Sequence, residues 1–175
     1  MRTGLCSILV VGLLAALGGC SGSSSVPIAP LASSPPAPNF KTTFGGYFQV
    51  TGGNPPASVV IAGTGIGVDA SGDSHASFTQ TVVFTTNPNQ INAGTFTFTY
   101  ADGSTLSGTY SGTATPPDAN GYSNGGGNFT VSSGTGRFAK TAGNTGTWSV
   151  SVQIFAPGSS PAGTISVTFQ GSLTL

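Results

Sequence analysis

From Phe40 to the C-terminus the apolar positions recur every second residue. Phe78, Gln80, Val82 and Phe84 fall on one face of an extended segment, with Thr79, Thr81, Val83 and Thr85 on the other. Phe96, Phe98 and Tyr100 alternate with Thr95, Thr97 and Thr99; Leu106, Gly108 and Tyr110 follow after an Ala101-Asp102-Gly103 turn. The same period runs through Trp148, Val150, Val152 and Ile154, through Ile165, Val167 and Phe169, and on to Leu173 and Leu175. Segments 40–51, 58–68 and 128–132 complete a set of about eight strands. Successive strand residues point to opposite faces, so a period of two means one face covered and one in water. No window repeats at 3.6, and helix is expected to be minimal.

Breaks fall at Gly52-Gly53-Asn54-Pro55-Pro56, Asn87-Pro88-Asn89, Pro116-Pro117-Asp118, Gly125-Gly126-Gly127 and Pro157-Gly158. Short strands between Gly- and Pro-rich turns make a sandwich or a barrel. Gly63, Gly65 and Gly67 share one strand face, as do Gly108 and Gly112. Glycines so placed relieve crowding where a sheet bends sharply, which favours closure. The expected fold is all-β: a single small antiparallel barrel over residues 40–175. A bilayer-spanning barrel is the rival, since alternating strands near ten residues long fit one. Strand faces that mix Thr with Phe argue against it.

Composition alters the picture of the surface. Charged residues are 5% of the chain, against about 25% in ordinary globular proteins. Beyond residue 19 there are only Lys41, Arg137 and Lys140 against Asp69, Asp73, Asp102 and Asp118. Such a surface has no field with which to hold nucleic acid. With 28 Gly, the chain could be taken for a disordered one, but its 11 Phe, 4 Tyr and Trp148 are interleaved with threonine, and disordered chains lack such residues. Threonine is a good strand former and supplies the hydroxyls where other surfaces use Lys or Glu.

The first residues follow another rule. Arg2 precedes an apolar run from Leu5 to Leu17, and Leu17-Gly18-Gly19-Cys20 ends it. This is the layout of a secretory signal peptide over residues 1–19, with small residues at the cleavage point between Gly19 and Cys20. The run is too short for a transmembrane helix. The cysteine after the small pair resembles the lipobox of bacterial lipoproteins. That resemblance implies acylation of Cys20, a membrane anchor made of lipid, a place in the bacterial cell envelope and, with Ser21 next, the outer membrane. Residues 20–39 then read as the lipidated cysteine and a disordered linker, with prolines at 27, 30, 35, 36 and 38. At ~3.1 Å per residue the linker reaches up to ~60 Å. Cys6 leaves with the signal and Cys20 takes lipid, so no disulfide is expected.

The run Gly134-Thr135-Gly136-Arg137-Phe138-Ala139, with Gly143 soon after and a strand next, resembles the allene oxide cyclase-like barrel superfamily, whose barrel the plant dirigent proteins share. The stretch from Ala101 to Gly112 is similar to bacterial members, and the resemblance covers roughly residues 75–155. It implies a barrel fold. It implies no activity: the cyclases use a glutamate in the barrel, and this chain contains none. Read physically, Gly134 and Gly136 permit positive φ and a tight turn, Phe138 plugs one end of the core, and Arg137 points the opposite way.

Catalytic and metal chemistry find little support. His75 is the sole histidine; Asp73 and Ser74 beside it spell a triad, yet neighbours on a strand face opposite ways. One histidine and no cysteine cluster make no zinc site. Residues 69–73 read as a turn rather than a calcium loop. Gly134-x-Gly136-x-x-Ala139 lacks the helix and the later acidic residue of a dinucleotide site. The expectation is thus a non-catalytic, lipid-anchored envelope protein without cofactor or metal, its protein partner unspecified. The alternative is a barrel that binds or isomerises an apolar small molecule against Phe78, Phe84, Phe96, Phe98 and Tyr100. Eight strands enclose just enough room for one such ligand.

Overall fold

The inward half of the period-two pattern fills one closed barrel. The computed structural model describes residues 39–69 and 72–175, so Gly19, Cys20 and nearly all of the linker lie outside the described residues. The strands are β1 (Phe40–Asn54), β2 (Ser58–Asp69), β3 (Gly72–Val83), β4 (Asn89–Tyr100), β5 (Thr105–Ala114), β6 (Tyr122–Gly134), β7 (Thr145–Ile154) and β8 (Gly163–Gly171). Each pairs antiparallel with the next, and β8 closes on β1. Among the described residues the single helical element is a 3₁₀ turn, Gly136–Phe138.

Because every connection is a hairpin, the loops sort to two ends. One end carries the β2–β3, β4–β5 and β6–β7 connections together with the start of β1 and the end of β8. The other carries the remaining four. The closing seam is fastened by Asn39, whose amide Nδ2 donates to the Leu173 carbonyl at 2.7 Å while its Oδ1 accepts from the Leu173 N–H at 2.8 Å.

The interior is aromatic and dense. Phe169 stands 4.9 Å from Phe96, 5.0 Å from Phe98 and 5.3 Å from Phe129, ring centre to ring centre. Phe44, Phe98, Phe129, Ile91, Leu106 and Val131 are almost wholly buried. Five of the rings fit because each faces a strand position without a side chain. Phe78 pairs with Gly63, Tyr110 with Gly94, Phe96 with Gly108, Phe129 with Gly146 and Phe48 with Gly163. A Cβ at any of those glycines would lie inside van der Waals distance of the facing ring.

The outside carries most of the threonines and serines, together with exposed Tyr47, Val50, Ile66, Val68, Tyr122 and Ile154. A bilayer-spanning barrel encloses a polar lumen, whereas the interior of this one is apolar. Among the described residues no helix is long and apolar enough to cross a membrane.

Several expected boundaries move. Gly125-Gly126-Gly127 does not break a strand. It lies within β6, registered with β5 on one side and β7 on the other. A Cβ on Gly127 would strike the Ser111 carbonyl, so a run without side chains lets the sheet curve tightly here. Strand β1 likewise continues through Gly52 and Gly53, with a register shift after Val50. Phe84 lies beyond the end of β3 and is exposed. Leu173 and Leu175 follow β8 outside any strand, the first buried and the second exposed.

Candidate functional site

Parity along β3 separates the residues that spell a triad. Ser74 points inward and is fully buried, while Asp73 and His75 lie on the outer face in water. Among the described residues no three His, Cys, Asp or Glu come together in a way that would hold a metal ion.

The aromatic residues expected to face a ligand do not act as a group. Phe96, Phe98 and Tyr100 are at most 3% exposed and pack against other rings. Phe78 is half-buried over Gly63, and Phe84 is outside the barrel interior altogether. The space left among Phe78, Phe96, Tyr110, Trp148 and Phe169 is about 20 Å³, close to the ~10–15 Å³ that one water needs. The polar groups in this region satisfy each other. Tyr110 donates its hydroxyl to Gln80 Oε1 at 2.6 Å, and the Trp148 indole N–H donates to the Ser111 carbonyl at 3.1 Å. Burial pushes the Tyr110 phenol well above its ordinary range, since a phenolate there would be stripped of water.

At the end of the barrel where β1 starts and β8 ends, the β6–β7 connection folds over the core. Phe138 is 3% exposed, 5.0 Å from the Tyr100 ring and 6.1 Å from Phe40. Gly136 has φ +58° and Gly143 φ +83°, both in the left-handed region that suits glycine. Gly134 serves by a different route: its φ is not in that region, but a Cβ would collide with the Phe138 carbonyl. Thr141, fully buried, donates its hydroxyl to that same carbonyl at 2.7 Å. The connection is tied to the β4–β5 turn by Thr105 and Thr135, whose hydroxyls lie 2.8 Å apart, and by the Arg137 N–H, which donates to Ser104 Oγ at 3.2 Å.

Arg137 corrects an expectation. It does not point away from Phe138. Its guanidinium lies 4.4 Å from the Tyr100 ring centre and 4.9 Å from that of Phe138, and Nε is 3.8 Å from Asp102 Oδ2. A planar, weakly hydrated guanidinium lies flat on aromatic faces, which an ammonium does poorly. Strand parity predicts the wrong direction here because residues 136–138 form a 3₁₀ turn.

Three of the open concavities on the outer wall share Tyr47, while a fourth, of about 470 Å³, lies apart from it between Gly143–Thr147 and Gln170–Thr174. One groove of about 610 Å³ runs from Tyr47 across β2, β3 and β4; another of about 480 Å³ runs from Tyr47 across β8 and β7 to Tyr122. The strand register explains why. Tyr47 pairs with Thr164, Thr164 with Gln153, and Gln153 with Tyr122, so the four side chains form a row on the outside. In the other direction the row continues through Thr64, Ser77, Thr97 and Ser107. Sequence reading passed over Tyr47. The signal was present: Phe44 and Phe48 set the inward parity of β1, and Tyr47 is out of step with them.

Compared with protein-family models, with curated proteins and with solved structures, the chain matches none.

Proposed function

We propose that this chain is a lipid-anchored protein of the bacterial outer membrane, held through Cys20, which works without catalysis by binding or structural contact at the outer wall of its barrel. The observation that supports the outer wall is the filled interior: about 20 Å³ remains inside, against grooves of several hundred outside. The alternative, a barrel that binds or isomerises an apolar small molecule, needs a lumen of at least ligand size, and small-molecule sites run to ~300–1,000 Å³. The likeness to allene oxide cyclase-like and dirigent barrels rests on the Gly134–Gly143 run and on the eight-stranded closure.

The anchor is tested in the bacterial host by labelling with radioactive palmitate and fractionating the envelope. Wild-type chain takes label and sediments with the outer membrane, whereas Cys20→Ser takes none and leaves the membrane fraction. A Cys20→Ser chain that stays in the membrane without detergent overturns the anchor. Native mass spectrometry of the wild-type protein from that host tests the working surface. An apolar molecule retained at one per barrel overturns the outer-wall reading in favour of the lumen.

A further inference from the structure

Tyr47 exposes 58% of its surface on a wall that mixes hydroxyl side chains with exposed apolar ones such as Val50, Ile66 and Val68. Gly45, next along the same face, has open space where a Cβ would stand, so nothing on its own strand crowds the ring. At the far end of the row Tyr122 is 48% exposed. The two rings are three strand spacings apart, ~14 Å along the wall. Between them lie Thr164 and Gln153, with Ser166 and Ser151 in the adjacent row. No Lys, Arg, Asp or Glu lines this groove among the described residues.

The chemistry of such a surface selects its ligand. It offers two flat rings, amide and hydroxyl donors and acceptors, and no charge. An apolar partner would leave those polar groups desolvated and unpaired, which is costly. A nucleic acid or an acidic polymer would find no cation. A pyranose chain satisfies every part. One face of each sugar ring presents C–H groups that stack on tyrosine, while the ring edge presents hydroxyls at hydrogen-bonding reach. Tyrosine has this double character, an apolar ring with a polar tip.

We infer that the groove between Tyr47 and Tyr122 binds a neutral oligosaccharide, with Tyr47 as the stacking platform and the Gln153 amide as the central polar contact. The inference rests on the outer wall being the working surface and adds the class of ligand.

The test uses the full chain, extracted in a detergent without a sugar headgroup, and titrates it calorimetrically with cellohexaose, maltohexaose and chitohexaose, with polygalacturonate as the charged control. At least one neutral hexasaccharide binds and polygalacturonate does not. Tyr47→Ala weakens binding on the order of tenfold, Tyr47→Trp retains it, and Tyr122→Ala and Gln153→Ala lose less. Thr109→Ala, on the opposite wall, leaves binding unchanged. Variants are compared only where they unfold with wild-type cooperativity, and the Tyr47→Trp arm separates loss of stacking from loss of fold. Absence of binding to all three neutral sugars, equal binding to polygalacturonate, or binding that survives Tyr47→Ala each overturns the inference. Native mass spectrometry on the same preparation separates the two claims. No sugar binding and no retained ligand sinks only the oligosaccharide, while a molecule held inside the barrel sinks the outer wall as well.

Discussion

The ring of Phe96 on β4 occupies the space that a Cβ on Gly108, its registered partner on β5, would need. The pair is one of several in which an aromatic residue and a glycine share the width of the barrel. Gly108→Ala forces its methyl against that ring and the Thr130 carbonyl. Overpacking of this kind costs ~1–3 kcal/mol. Gly45→Ala has open space around it, and a strand glycine replaced by alanine gains about 0.5–1 kcal/mol. Urea unfolding followed through the fluorescence of buried Trp148 compares the two. Equal effects would mean that the glycines are not placed for the rings.

Phe138 should behave as the plug of the terminal end. It is buried against Tyr100 and Phe40, and Phe138→Ala is expected to lose ~3–5 kcal/mol. That is a large part of the ~5–15 kcal/mol that holds a domain together. A loss below 1 kcal/mol, measured in the same urea experiment, would place the β6–β7 connection outside the cooperative core.

Arg137 is a milder and more specific case. Its side chain is 35% exposed and that of Asp102 38%, so the ion pair is well screened, and stacking on Tyr100 is the larger share. Arg137→Ala is expected to cost about 1 kcal/mol. Arg137→Lys should recover little of it, since an ammonium does not lie flat on two rings. Full recovery by lysine in urea melts would assign the effect to charge alone.

Tyr110 makes the stability of the barrel sensitive to alkali. Burial raises its phenol above the ordinary value of 10.0, so the folded chain keeps a proton that the unfolded chain gives up. Stability is therefore level below about pH 10 and falls as pH rises beyond it. Tyr110→Phe removes that fall, at the expense of a lower plateau because Gln80 loses its partner. Urea midpoints of both chains across the alkaline range check this. Parallel curves would show that the loss comes from other groups.

The eight strands were legible because Phe96, Phe98 and Tyr100 alternate with threonine as cleanly as a strand permits. Closure was legible from Gly63, Gly65 and Gly67 on one face. The Gly125–Gly127 run misled because glycine weakens a strand considered alone, while in the barrel it removes side chains where neighbouring carbonyls come closest. The direction of Arg137 was hidden because its partners, Tyr100 and Asp102, are brought to it by a hairpin from elsewhere in the chain. Phe84 obeyed the period yet fell past the strand end, which alternation alone does not mark. Tyr47 was visible as an exception to parity, but its row with Gln153 and Tyr122 exists only through strand register.

Seven of the eight strand pairings join neighbours in the chain, and one joins the first strand to the last. Hairpins can therefore assemble in the order in which the ribosome delivers them, but the seam between β1 and β8, with Asn39 clasping Leu173, has to wait for the final residues. Until then β1 presents an open row of amides and carbonyls to any other strand. A polypeptide delivered N-terminus first thus completes the barrel only once β8 is available to pair with β1.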